Sequence, residues 1–490
     1  MSTAPHATAP APAHDDADDS ATHKPASTMN ALRTKNVAVI GGSYVGHRLA
    51  MSLAKALPAT HRVVLIESNS HFHHLFTLPR FSVLHRGGEE KAFVPYDHIF
   101  SDPSIPPGAG TVVHARALSI LPSSGGGEVG GTIRLDRPLP NAARPAGRED
   151  DGEGETNLVA YDYLALATGT QLQRPWSLST AASSSSTDAI EGEGNRTGEV
   201  QDTTKAQAIQ ILQSYQDKVR DARRIVIVGG GAVGVQVALD IAHLYPLRES
   251  GKEVVVVHSR DRVMNKYHQD LHNLVMARFG EAGIETILSS RVHLPSPPAA
   301  FSGGGRTHML PLSSGSSVSG DLILLCTGQT PRSALLRHLS PSSLTAAGFI
   351  KVDRTLQVQS AELEPGQAQR LFALGDVAET GAWKTVRAAM GQIDTVSHNI
   401  LALISRSSAA AAAATAEGDD AAAAKELKTF TPGPAGIHLT LGLRESVKFG
   451  NPANPDDKPR CLVEEDGSRD MNASRMWANF NVPKDTAWHL

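Results

Sequence analysis

Two segments of the chain repeat the same order of apolar and polar positions. Residues 36–67 contain a short apolar run (VAVI), a glycine-rich turn (GGSYVG), a stretch with helical spacing and a second apolar run (RVVLIES). Residues 223–258 repeat this order with RIVIV, GGGAVG, VQVALDIAHLY and EVVVVHS. An apolar run that ends at a glycine turn before a helix is typical of a β-α-β unit. The pattern therefore predicts two dinucleotide-binding units.

The turn of the second unit has the spacing G-x-G-x-x-G. Its residues are Gly229, Gly230, Gly231, Ala232, Val233 and Gly234. In such a turn the first glycine allows a tight bend, the second allows close approach to a pyrophosphate, and the third allows helix packing. Because a strand and a helix flank the turn, Gly229, Gly231 and Gly234 are predicted to bind a dinucleotide.

The turn of the first unit departs from this spacing at its middle position. Its residues are Gly41, Gly42, Ser43, Tyr44, Val45 and Gly46. Serine is small, so close approach to a phosphate remains feasible at Ser43. The strand after this turn ends on Glu67, at the distance where a carboxylate accepts hydrogen bonds from the ribose hydroxyls.

The second unit carries His258 at the corresponding strand end, with Arg260 two residues later. A glutamate in place of His258 would repel a 2′-phosphate, whereas Arg260 with His258 can neutralise one. NADPH is therefore the expected donor. NADH stays open as an alternative, because Arg260 or Arg262 can instead form a surface ion pair of little consequence.

Three further segments read as strands that end at a glycine. They are YDYLALATGT at 161–170, GDLILLCTGQTP at 320–331 and RLFALGDVAE at 370–379. Together with the two turns, and in this order, they resemble the flavoproteins with two dinucleotide-binding domains. That resemblance implies FAD in the first site and NAD(P)H in the second, and it implies cofactor contacts for Thr168, Gly169, Gly375 and Asp376, the last with the ribityl chain of FAD.

Within that superfamily, the pyridine nucleotide-disulfide oxidoreductases, the run FHHLFTLPR at 72–80 is similar to one group. This group is the apoptosis-inducing-factor-like, AMID or ferroptosis-suppressor group of FAD-dependent NAD(P)H:quinone oxidoreductases, which lack a redox disulfide. The resemblance implies that Arg80 contacts FAD and that the Val113 backbone meets the adenine. Lys384, eight residues after Asp376 as in the group, is the candidate catalytic cation at the flavin edge, with a solvated helix lysine as the alternative. One departure is Gln236, which stands where the group often has Glu.

The expected fold class is α/β, with two Rossmann-like domains, the second inserted in the first, and a C-terminal α+β segment. Compositional shifts along the 490 residues indicate the boundaries. They are a disordered tail (1–32), an FAD-binding domain in two parts (33–205 and 335–404), an NAD(P)H-binding domain (206–334), an Ala-rich linker (405–426) and a C-terminal segment (427–490).

Composition narrows the range of partners. The net charge of -4 and the absence of a basic cluster argue against nucleic acid. The two cysteines, Cys326 and Cys461, have no CxxC spacing, so neither a redox disulfide nor a zinc cluster is expected. His73 and His74 are assigned to packing near the flavin and no metal is expected, while Phe76 and Trp383 either flank the isoalloxazine or belong to the core.

No uncharged apolar run is long enough to span a bilayer, and Ser2 excludes N-myristoylation. A cytoplasmic location is expected, with mitochondrial association as the alternative. Peripheral membrane contact and the oligomeric state stay open.

The expected function is transfer of hydride from NAD(P)H to FAD and of electrons to a quinone-like or other small acceptor. Two alternatives use the same cofactors. One is a tailoring oxidoreductase of a specialised metabolite, and the other is a redox-switched binding protein similar to apoptosis-inducing factor.

Overall fold

A computed structural model describes most of the chain. The described residues are 35–123, 130–139, 156–172, 176, 178, 180–181, 200–201, 204–294, 307–415, 425–454 and 456–488. The predicted tail at 1–32 lies outside this part of the chain.

Three sheets and five longer helices form the framework. The strands are β1 (Lys35–Ile40), β2 (His61–Glu67), β3 (Gly110–His114), β4 (Tyr163–Leu166), β5 (Arg224–Val228), β6 (Glu253–Val257), β7 (Glu285–Ile287), β8 (Leu322–Leu325), β9 (Leu371–Ala373), β10 (Gly436–Thr440), β11 (Ser446–Gly450) and β12 (Arg460–Glu464). The helices are α1 (Gly46–Ala56), α2 (Lys205–Asp221), α3 (Ala232–Leu244), α4 (Gln269–Glu281) and α5 (Val386–Thr415).

The other described strands and helices are short. Paired short strands are His71–His73 with Phe93–Pro95, Ala117–Pro122 with Gly131–Leu135 and Leu158–Tyr161, Thr170–Leu172 with Gln329–Pro331, Thr180–Ala181 with Val200–Gln201, His308–Pro311 with Ser317–Gly320, and Ile350–Lys351 with Ala378–Glu379. Short helices are Leu78–Phe81, Glu89–Ala92, Leu247–Ser250, Ala334–Arg337, Pro341–Ser343, Pro365–Ala368, Gly375–Val377 and Arg475–Ala478.

The first sheet has the strand order β9-β4-β1-β2-β3, and all its neighbours are parallel. Its central strands are apolar and almost wholly buried, as expected where helices and loops cover both faces. The chain leaves this sheet after β4 and returns to it at β9. Between these strands it forms the second sheet, so the predicted insertion of one Rossmann-like unit into the other is confirmed.

The second sheet has the order β7-β6-β5-β8 and is also parallel. The helix α3 follows β5 directly after the second glycine turn. In both sheets the turn therefore lies at the carboxyl edge of a central strand. Nucleotides bind at this edge in open α/β sheets, where the strand order reverses.

The C-terminal segment forms an antiparallel sheet, β10-β11-β12, and then packs back onto the first domain. Trp477, Phe480 and Val482 belong to the same buried cluster as β1 and α1. The Trp477 indole donates to the Lys91 carbonyl at 2.9 Å. This segment therefore covers the side of the first domain that carries the first glycine turn.

The helix α5 runs on to Thr415, so the predicted linker at 405–426 begins inside a helix. Alanine has the highest helix propensity, and the run of alanines extends the helix past the last buried turn. No helix in the described part of the chain is both long and apolar enough to cross a bilayer.

Candidate nucleotide and flavin sites

The first glycine turn leaves no room for a side chain at two positions. Gly41 has φ +99°, and a Cβ there would lie 2.5 Å from the Ala167 carbonyl oxygen. A Cβ on Gly46 would lie 1.7 Å from the Gly41 carbonyl oxygen. Both contacts are with backbone that cannot move aside, so the turn requires glycine at both positions.

The second turn repeats this geometry. Gly229 has φ +123°, and a Cβ there would lie 2.3 Å from the Cys326 carbonyl oxygen. A Cβ on Gly234 would lie 1.9 Å from the Gly229 carbonyl oxygen. A Cβ on Gly231 would meet no atom within 4 Å, which explains why serine fits at the equivalent position, Ser43.

Glu67 is bound to the first turn by its carboxylate. One oxygen accepts from the Gly42 amide at 2.5 Å, and the other accepts from the Asn69 amide at 2.9 Å. The side chain is buried and lies at the carboxyl edge of the first sheet. The residue is therefore held in the place from which it is predicted to bind a ribose.

His258 has the corresponding position in the second unit. Its Nδ1 lies 3.0 Å from the Gly230 amide nitrogen, and this amide can donate only to an unprotonated nitrogen. Burial lowers the pKa of His258, although nearby Asn265 opposes the shift. The structure therefore corrects one expectation, since His258 is a neutral acceptor and not a cation. Arg260 is exposed two residues further on, and its contact with a 2′-phosphate stays a prediction.

Gly375 and Asp376 follow β9 in a short helical turn beside the first glycine turn. A Cβ on Gly375 would lie 3.3 Å from the Val45 side chain. The Gly375 amide donates to the Gln392 side chain at 2.8 Å, a contact for which the sequence carries no motif. Burial raises the pKa of Asp376, and Lys384 opposes the shift.

Lys384 lies in the same region. Its ammonium group donates to the Ala378 carbonyl and stands 4.5 Å from the centre of the Phe349 ring. Burial lowers the pKa of Lys384, while Glu379 and Asp376 raise it. The structure thus brings Lys384 and Asp376 into electrostatic contact and makes Lys384 a half-buried cation rather than a solvated one.

Arg80 lies at a junction between three parts of the chain. Its Nε donates to Asp240 of α3 at 2.6 Å, and both side chains are almost fully buried. Its terminal nitrogens donate to the carbonyls of Gly442, at 2.8 Å, and Ser468, at 3.2 Å. The structure therefore places this guanidinium among protein groups, and contact of Arg80 with FAD stays a prediction.

An aromatic cluster adjoins the first turn. The Tyr44 hydroxyl bonds His74 Nδ1 at 2.7 Å, and its ring lies 4.8 Å from that of Phe76. Phe76 is half exposed. Burial lowers the pKa of His73 to about 3 and that of His74 to about 4, so both are neutral near pH 7.

Trp383 stacks on Tyr267 of the second domain with ring centres 5.8 Å apart, so it faces the other nucleotide-binding unit. In the described residues, no group of three or more His, Cys, Asp or Glu side chains is arranged to hold a metal ion.

The remaining predicted contacts lie at the edges of the first sheet. Val113 is buried on β3 beside Ile66. The Thr168 hydroxyl donates to the Arg332 carbonyl at 2.6 Å, and the Gly169 carbonyl accepts from the Arg332 amide at 3.0 Å. Gly169 has φ +66°, and a Cβ there would meet no atom within 4 Å.

Open space therefore lies over Gly169 and Gly231, where a cofactor would bind, while the turns beneath are tightly packed. Two such turns at the carboxyl edges of parallel strands, one with a glutamate and one with a neutral acceptor, define a protein with two dinucleotide sites.

Comparison with known proteins agrees with this class. The chain belongs to the pyridine nucleotide-disulphide oxidoreductase family, whose profile matches residues 132–393. It is an FAD-dependent oxidoreductase that uses NAD(P)H.

Its relatives include "Fe-regulated protein 8" of Mycosarcoma maydis, which is 31% identical over 94% of this chain and 98% of that protein. Human ferroptosis suppressor protein 1 is 25% identical over 90% of this chain and 95% of its own length. Among solved structures, the sulfide:quinone oxidoreductase of Aquifex aeolicus shares the fold with a TM-score of 0.58 at 16% identity, covering 91% of this chain and 89% of that one.

Proposed function

We propose that this enzyme reduces a quinone-like small acceptor with electrons from NAD(P)H. FAD, when bound, takes hydride from the nicotinamide and passes electrons on to an acceptor. The first turn, Glu67 and the Gly375–Asp376 segment hold this cofactor. The second turn, His258 and Arg260 hold the donor.

The placement of the two cysteines carries the proposal. Cys326 lies just after β8 in the second domain, and burial raises the pKa of its thiol to about 12. Cys461 lies on β12 of the C-terminal sheet. The chain has no third cysteine and no motif that pairs these two. No dithiol is therefore available as a relay, and electrons must pass from the flavin directly to the acceptor.

A half-exposed aromatic surface beside the first turn supports an aromatic or quinoid acceptor. Phe76 packs on Tyr44, and its carbonyl accepts from the Gln236 amide at 3.4 Å. The same amide lies 3.3 Å from the Met471 sulfur. This aromatic surface, formed by Phe76 and Tyr44, thus joins the first turn, α3 and the C-terminal segment. An aromatic acceptor gains free energy from stacking there.

The test separates acceptor binding from cofactor reduction. The purified flavoprotein is reduced anaerobically with NADPH or NADH and then mixed with short-chain quinones. Reoxidation by several quinones, much faster than by other small acceptors, is expected. Reduction of the flavin without reoxidation by any quinone would contradict the proposal.

A substitution in this aromatic surface tests the acceptor site directly. Phe76→Ala is expected to raise the KM for quinone roughly tenfold, since a stacking contact is lost, while the rate of flavin reduction stays unchanged. Met309→Ala removes another exposed apolar side chain, in the hairpin of the second domain, and serves as the control. An equal effect of both variants would remove Phe76 from the acceptor site.

A further inference from the structure

The strand β12 forms the outer edge of the C-terminal sheet. It pairs with β11 on one side, and no strand pairs with its other side in the part of the chain that the structure describes. Arg460, Cys461, Leu462 and Val463 are all exposed, including the two apolar side chains, at 41% and 38%. An exposed edge strand with apolar residues presents unpaired backbone groups that can pair with another strand.

The charges along this edge are arranged to match a second copy of the same strand. Within β12 the cation Arg460 stands two residues before Leu462, and the acidic Glu464 stands two residues after it. In antiparallel pairing about a two-fold axis at Leu462, Arg460 lies opposite Glu464 of the other copy. Arg460 and Glu464 are the two end residues of β12, so this pair, formed twice about the axis, is the charge match within the strand.

Other registers lose the Arg460–Glu464 pair. In-register parallel pairing would set Arg460 against Arg460, and like charges directly opposite each other are destabilising. Antiparallel pairing centred on Val463 would set Leu462 against Glu464. With the axis at Leu462 the two leucines meet on one face, and Cys461 meets Val463 on the other, because side chains alternate along a strand.

We propose that the chain forms a symmetric homodimer through β12, so that two three-stranded sheets join into one sheet of six strands. The contact is isologous, with each half supplying the same residues to the other. Main-chain hydrogen bonds supply the attraction, and the two symmetry-related Arg460–Glu464 pairs set the register.

The acidic side chains are already held on the matching face. Lys448 of β11 donates to the Glu464 carboxylate, and Asp466 accepts from the Ser446 hydroxyl at 2.6 Å. Glu464 thus lies where a second cation from the partner can join the first. The contact spans few residues, so the dimer is a weak one that forms with rising protein concentration.

Charge reversal tests the register. Sedimentation velocity of the full flavoprotein over a concentration series is expected to show a monomer–dimer equilibrium for the natural sequence. Arg460→Glu and Glu464→Arg each place like charges opposite each other twice in the dimer. Each is expected to raise the dimer Kd at least about tenfold, which is ~1.4 kcal/mol.

The two reversed chains complement each other. Arg460→Glu carries acidic residues at both 460 and 464, and Glu464→Arg carries cations at both. An equimolar mixture is therefore expected to dimerise when neither variant does alone, and the double reversal in one chain to restore the dimer. Arg248→Glu, at an exposed position on a short helix, makes the same charge change elsewhere and is expected to leave dimerisation unchanged.

A monomer at every concentration for the natural sequence would overturn the proposal. So would single reversals that dimerise like the natural sequence, or a mixture that stays monomeric. FAD content and thermal unfolding of each variant show whether it is folded.

A disulfide gives a second readout of the register. In a Cys461→Ser background, Leu462→Cys would place two thiols opposite each other on the two-fold axis, within bonding distance. Arg460→Cys would place them roughly 14 Å apart along the strands, out of reach. Covalent dimer at least about tenfold more abundant for Leu462→Cys under mild oxidation supports the register, and equal yields would overturn it.

Discussion

Glu67 and His258 have the same relationship to the two nucleotide turns, although one is an acid and the other an imidazole. Glu67 ends β2 and His258 follows β6, and each accepts a hydrogen bond from the backbone amide of the second residue of its turn, Gly42 or Gly230. The imidazole therefore performs the structural task of the carboxylate without its charge. This exchange removes the negative charge that would repel a 2′-phosphate.

The exchange predicts how donor preference changes. In His258→Glu the carboxylate is expected to keep the bond to Gly230 and to repel the 2′-phosphate. The ratio of kcat/KM for NADPH to that for NADH is expected to fall at least about tenfold. Steady-state kinetics with each donor measures it. Arg260→Ala, which removes a cation without adding an anion, is expected to lower the ratio less, and an unchanged ratio in both variants would sink the assignment.

Substitutions in the two glycine turns are expected to weaken the binding of different cofactors. Gly229→Ala would place a Cβ 2.3 Å from the Cys326 carbonyl, and Gly41→Ala would place one 2.5 Å from the Ala167 carbonyl. The first variant is expected to retain FAD but to require far more NAD(P)H for bleaching of the flavin absorbance. The second is expected to purify without FAD. Loss of FAD in the Gly229 variant alone would reverse the assignment of the sites.

The framework of the fold was predictable because its signals are local. The apolar strands and the glycine spacing lie within a few residues of each other, and a tight turn admits few alternatives at Gly41 or Gly229. The family resemblance added the segment at Gly375 and Asp376, whose role no spacing indicates.

The contacts between distant parts were not predictable in this way. Arg80 and Asp240 are 160 residues apart, and no pattern in either segment marks them as partners. Gln392 likewise lies on α5 with no motif around it, yet its side-chain oxygen accepts from the Gly375 backbone amide. The neutral state of His258 depends on burial and on the Gly230 backbone amide. Neither can be inferred from the neighbouring residues in the sequence.

Lys384 is predicted to favour flavin reduction because a cation at the flavin edge stabilises the charge that accumulates there. Lys384→Met is expected to slow reduction by NAD(P)H roughly tenfold and to make the flavin reduction potential more negative. Lys384→Arg, which keeps the charge, is expected to recover most of the rate. A lower melting temperature with an unchanged potential would instead indicate a structural lysine.

The buried pair Arg80–Asp240 is predicted to hold the two domains and the C-terminal segment together. Asp240→Ala leaves the Arg80 charge buried without its partner, so the free energy of unfolding is expected to fall by about 3–5 kcal/mol. The double variant Arg80→Met/Asp240→Leu is expected to recover much of this loss. Urea unfolding followed by flavin fluorescence measures it, with Arg86→Ala, which breaks an exposed pair with Asp217, as the control of little effect.

Burial of His47 is expected to make the folded protein less stable at acid pH. It is fully buried in α1, its Nδ1 bonds the Ser43 carbonyl at 2.8 Å, and its ring lies 4.3 Å from that of Phe480. Burial lowers the pKa of His47 from 6.5 to about 3. The folded state thus favours the neutral ring, and this contribution is fully present above pH 6.5 and is lost as the pH falls toward 3. Over that range it amounts to about 1.4 kcal/mol per pH unit.

His47→Gln removes the titrating ring, so its free energy of unfolding is expected to fall less steeply than that of the natural sequence between pH 6.5 and pH 4.5. Urea titrations at several pH values give both slopes. The comparison isolates His47 because Asp240, whose pKa burial raises to about 6, and the other buried histidines titrate in both proteins. Parallel slopes would show that His47 has the same pKa in the folded and the unfolded protein, which the full burial of its ring and the apolar contact with Phe480 argue against.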